Sequence, residues 1–368
     1  MLTGPDPAAA DGPATVERPA TADRLPLRRR LLPVLALLLL APWAAECSWG
    51  GFAIDDFLPV LIFLGPMYGG AAILIRETAR RLGAGWPTIV LLAAAFGVLQ
   101  AGLVDQSLFN PGYLDDTQYA DTRAAAEATL VPGLGFSLRQ AFDYVGNHIL
   151  LTICAPIVFV ESFLGAKRRL RPWLGRPGLA VVAVVYLLGS LLVFSSAEGR
   201  KNFLAGPLQL AFAGTVILVL VGAALLPFWR NPRPRATAPS SAGRTRRARR
   251  APHPLWVALL IVLVRFGTDL TPGWAGVVIA LALAAAVGGL IGYVSSRDGW
   301  GQRHVLAAGS ASVVSAAAFA YVVPPYSPAS PAAALAGDVA VTVITVALVG
   351  GAWWRLRRPS PTVHVGAS

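Results

Sequence analysis

What most constrains this chain is a recurring block of uncharged, mostly apolar residues. FLPVLIFLGPMYGGAAILI (57–75) and WPTIVLLAAAFGVLQAGLV (86–104) each run for 19 residues without a charged side chain. Neither the alternation of a half-buried strand nor the stripe of an amphipathic helix is visible in them. A helix of about 20 such residues matches the hydrocarbon thickness of a bilayer. Only 14% of the chain is charged, where a soluble domain carries about 25%. A transmembrane barrel needs short alternating segments, and none is present. The expected fold is therefore all-α, a polytopic transmembrane helical bundle.

Ten spans are expected, near 30–46, 55–75, 85–105, 142–165, 177–196, 204–229, 254–270, 273–295, 304–323 and 334–354. Basic residues gather on the cytoplasmic side of bacterial membrane proteins. With both termini cytoplasmic, 26 of the 31 Lys and Arg residues fall inside, four outside and Arg265 within a span. The acidic residues divide as 7 inside and 12 outside. This alternation sets the expected topology in the cytoplasmic (inner) cell membrane. It also explains the net charge of +12 without a nucleic-acid partner.

Composition divides the chain further. Residues 1–27, rich in Ala, Pro, Thr and Asp, read as a disordered cytoplasmic tail. Spans 1–6 fill 28–229. A basic Pro/Ser/Arg-rich cytoplasmic linker covers 230–253, spans 7–10 fill 254–355, and 356–368 form a second tail. The first span has the look of a signal peptide but follows a long tail, so a retained anchor is expected. The seventh is short and holds Arg265, which suits a tilted or partly interfacial helix. The basic run 230–250 is a solvated topology signal, and it offers a contact for anionic lipid heads. Cys47 and Cys154 fall at different depths and are expected as free thiols.

Polar residues inside spans mark the candidate site. In LQAGLVDQSLFNP (99–111), Gln100 sits within the third span and Asp105 opens its outer mouth. A buried amide seeks a partner on a neighbouring helix. In the fourth span an α-helical step of about 100° puts Asp143, Asn147, Cys154 and Glu161 on one face, with His148 and Thr152 on another. Ionisable groups within spans line ion or substrate routes, and His148 titrates near neutral pH. Pro156 is expected to kink this helix. The competing reading makes Asp143 and Glu161 interfacial ends and leaves Asn147 and His148 as packed polar groups. Arg265 and Asp269, four apart, are expected to pair along one helix face. Arg76 and Glu77 read as a structural cluster. Gly65 with Gly69, and Gly288 with Gly292, have the spacing of close helix packing. Glu46, Asp55 and Asp56, in ECSWGGFAIDDF (46–57), add to a negative outer mouth. No HExxH, GxSxG or CxxC is present. Neither a metal nor a cofactor is expected.

The run GPMYGGAAILIRETARRLGAGWPTIVLLAAAFGVLQAGLVDQSLFNP (65–111) resembles a family of uncharacterised multi-pass proteins of bacteria, actinobacterial in type. A fainter resemblance is to CAAX-type intramembrane proteases, which activate water with paired glutamates and histidines. His148 matches one such histidine, but Gln100-Ala101 stands nearest the glutamate pair and supplies no carboxylate. The leading functional expectation is a transporter- or permease-like protein. Its polar route for a cation or small solute would follow span 4 and Gln100. The alternatives are a non-catalytic membrane partner or scaffold, and a membrane-embedded metalloenzyme.

Overall fold

The computed structural model describes residues 27–230, 250–267 and 271–358, without the side chains of residues 27 and 29. The expected N-terminal tail, most of the basic linker, Asp269 and most of the C-terminal tail lie outside them. No strand occurs among the described residues. All ten expected segments are helical: α1 (Arg30–Cys47), α2 (Ile54–Arg81), α3 (Trp86–Val104), α4 (Leu138–Phe163), α5 (Arg176–Ser195), α6 (Pro207–Ala224), α7 (Pro254–Gly267), α8 (Gly273–Ser295), α9 (Gln302–Ala320) and α10 (Pro331–Arg357). Eight are long and apolar enough to cross a membrane. The described part of α7 has only 14 residues, and α9 opens on Gln302, Arg303 and His304.

Helices α1–α4 form the centre. Leu37, Met67, Ile73, Ile89, Ile153 and Ile157 are buried where these four meet, and Val193 of α5 closes that cluster. A second core joins Trp43 and Phe159 to Leu306 and Val313 of α9 and Val341 of α10. A third sets Ala101 of α3 and Phe109 against Phe136 and Ala213 of α6. The outward faces are apolar too: Leu187, Leu188, Leu218 and Val343 are exposed. A soluble protein would not present that band to water, whereas lipid accepts it. Cys47 and Cys154 are free thiols.

The central helices share a departure from α geometry. Trp43–Cys47, Gly65–Gly69, Gln100–Val104 and His148–Cys154 are π-helical, one turn in each of α1 to α4. Such turns hold one extra residue in a helix and gather at functional sites. Proline accounts for three of them. Pro42 precedes the first turn, Pro66 lies in the second and Pro156 follows the fourth by two residues. Each lacks the N–H that an α-helix would use.

Candidate functional site

The four π turns converge. Glu46 belongs to the turn in α1, Tyr68 to that in α2, Gln100 to that in α3 and His148 to that in α4. The Tyr68 hydroxyl donates to Glu46 Oε1 at 2.7 Å. The Tyr68 ring lies 5.6 Å from the His148 imidazole, and Phe96 stands edge-on to both. His148 Nδ1 and Thr152 Oγ1 share a 3.0 Å hydrogen bond. Gln100 Nε2 donates to Asp105 Oδ2 at 3.3 Å, and the Ser107 N–H donates to Asp105 Oδ1 at 2.9 Å. Asp105 is thus held at the end of α3, in the same crevice as Glu46.

Tyrosines close the crevice from the loops. The Tyr326 N–H donates to the Gly51 carbonyl at 2.8 Å, and its ring packs on Trp49, Phe52 and Tyr119. The Tyr113 hydroxyl donates to the Gly199 carbonyl at 3.0 Å. Burial pushes the Tyr113 and Tyr326 hydroxyls well above their usual range, and the charges of Asp105 and Glu46 add to the shift. Both therefore stay protonated and neutral. Glu46, Asp105, Tyr113, Tyr144, His148 and Tyr326 are all half-buried despite lying inside the bundle, so each keeps an accessible face. Gln100 Oε1 and the Tyr144 hydroxyl are buried and have no hydrogen-bond partner among the described residues. Two carboxylates ringed by aromatic faces suit a cation, which the carboxylates attract by charge and the rings by their quadrupoles.

Eight residues further along α2 from Tyr68, roughly 12 Å of helix, stands a second polar cluster. Arg76 donates to Glu77 at 2.7 Å and to Glu161 of α4 at 3.1 Å. Arg80 grips both Glu161 oxygens, at 2.9 and 2.7 Å. Glu77 accepts the N–H groups of Trp173 and Leu174. The Arg76 guanidinium lies 3.4 Å from the centre of the Trp173 ring. The cluster ties α2 and α4 to the loop before α5 at the basic end of the bundle.

The expected residues are redistributed. Gln100, Asp105 and His148 come to the crevice. Asp143 pairs with Arg139 at 2.9 Å on the first turn of α4. Asn147 Oδ1 accepts from Arg265 of α7 at 3.0 Å; Asp269, its expected partner, is outside the described residues. The expected row from Asp143 to Glu161 is therefore not one continuous face. The π turn at His148–Cys154 changes the angular step, and Glu161 faces Arg76 and Arg80. Among the glycines, Gly69 packs on Leu38, whereas Gly288 and Gly292 have open space around them. Glu46 was legible only as part of a negative mouth, and Tyr68, Tyr113, Tyr144 and Tyr326 carried no signal in the sequence pattern. Among the described residues, no three His, Cys, Asp or Glu side chains stand close enough to hold a metal ion. No protein-family model matches the chain, and no curated protein or solved structure shows significant similarity to it.

Proposed function

We propose that the protein is a transporter- or permease-like membrane protein that takes a cationic small solute into the crevice between α1, α2, α3 and α4. The observation that carries this reading is the convergence of four π turns on Glu46, Tyr68, Gln100 with Asp105, and His148. In this reading ten spans cross the cytoplasmic membrane, with the basic end inside, and the solute enters from the acidic outer side. The Arg76–Glu77–Arg80–Glu161 cluster is the inner barrier. Glu46 and Asp105 supply charge, the aromatic rings supply cation–π attraction, and the open Gln100 carbonyl and Tyr144 hydroxyl supply hydrogen bonds.

Thermal unfolding of the purified protein in detergent tests it, with alkali cations, divalent cations, primary amines and quaternary amines as probes. A cation that binds only the folded state, at about 100 times its Kd, stabilises by about 2.7 kcal/mol. The expected result is a rise in Tm with one cation class, lost in Glu46→Gln and in Asp105→Asn but kept in Asp143→Asn. The same carboxylate variants should abolish uptake of that cation into proteoliposomes. A rise that survives both carboxylate changes, or no rise with any class, overturns the assignment.

A further inference from the structure

Away from the crevice, a cavity of about 610 Å³ opens between α1, α2, α4 and α10. Its walls are almost wholly apolar, among them Leu32, Ala36, Leu39, Phe159 and Leu348. It follows α1 from Leu32 to Trp43, eleven residues or roughly 17 Å of helix. That is close to one leaflet of a hydrocarbon core about 30 Å thick. Its one charged wall residue is Arg168, at the basic end. The Arg168 side chain has no ion-pair partner among the described residues, in contrast to the fully engaged Arg76 and Arg80 nearby. Lys167, Arg169 and Arg171 flank it.

We propose that this groove holds one acyl chain of an anionic phospholipid, with the phosphate on Arg168. Depth and charge favour that occupant. The groove begins at the level where lipid phosphates lie, runs apolar for a single leaflet, and places its lone cation at the head end. A protein helix would leave Arg168 without a counter-charge, and a zwitterionic lipid would compensate it only weakly. The inference is independent of the crevice, because no residue is shared between them.

Native mass spectrometry of the full chain in detergent tests it, with phosphatidylglycerol and phosphatidylcholine of one chain length added equally. One basic side chain near an anionic surface is worth about fivefold in binding. Phosphatidylglycerol adducts should exceed phosphatidylcholine adducts by about that factor, and Arg168→Gln should erase the difference. Ala36→Phe, at an exposed position on the groove wall, should reduce retention of both lipids. Neither substitution touches a buried core, so size-exclusion profiles should match the wild type. Equal retention of the two lipids overturns the headgroup assignment. A full Arg168→Gln effect with no Ala36→Phe effect overturns the groove, because the lipid would then sit on the basic loop alone.

Discussion

Glu161→Gln is expected to remove most of the folded protein from membranes, although it changes the shape of one side chain hardly at all. Glu161 is 1% exposed, Arg76 is fully buried and Arg80 is 8% exposed. The carboxylate answers both guanidinium groups, with two bonds to Arg80 and one to Arg76. A neutral amide leaves those cations uncompensated in a site from which water is excluded. Breaking a buried ion pair from one side costs about 3–5 kcal/mol, a large share of the 5–15 kcal/mol that holds a typical domain together. Replacing both partners with well-packed apolar groups is much less harmful. Arg80→Met combined with Glu161→Met should therefore recover much of what the single change loses, since Arg76 keeps Glu77 and the Arg169 carbonyl. Yield and monodispersity of the detergent-extracted protein check both. A stable Glu161→Gln protein would show that water reaches the cluster.

Gly69→Ala is expected to be nearly as damaging. A Cβ at this position would lie 2.5 Å from the Leu38 Cα and 2.6 Å from its carbonyl oxygen. The obstacle is the backbone of α1, which cannot step aside as a side chain can. From the other side Gly189 of α5 closes in, with its own Cβ position 2.8 Å from Pro66. The π turn of α2 is thus clamped between two backbones. Overpacking of this kind costs about 1–3 kcal/mol, and here it would also displace Tyr68 from Glu46. Gly288→Ala is the contrast. No atom lies within 4 Å of its added methyl, and alanine is the better helix former by up to about 1 kcal/mol. A fall in Tm for the first and none for the second is expected. Equal tolerance of both would mean that α1 and α2 do not approach so closely in the membrane.

The helical architecture was legible because bilayer thickness and apolar block length are coupled by simple geometry. Each span expected between residues 30 and 354 corresponds to a helix, to within a few residues at most ends. Gln100 and His148 were legible for the same reason, since polar side chains inside apolar blocks demand partners. Their partners were not. The projection of α4 assumed a uniform α-helical step, and the π turn at His148–Cys154 separates Asp143 from Glu161 in a way that no periodicity reveals. Glu161 then finds Arg76 and Arg80, 85 and 81 residues away in sequence. Arg265 finds Asn147 across 118 residues. Tyr113 and Tyr326 enter the crevice from loops, whose path depends on tertiary packing rather than on local pattern.

The four π turns also leave a mark at the level of the gene. Loss of one codon within a regular α-helix swings everything beyond it by about 100° and carries an entire lipid-facing surface into the core. Within Gln100–Val104 the same loss would let the turn relax to α-helix while both flanking halves of α3 kept their orientation. The helix would survive and Asp105 would be drawn away from Gln100. Single-codon deletions at the four turns therefore separate two requirements that point substitutions rarely separate: the bundle should tolerate them, and the crevice should not.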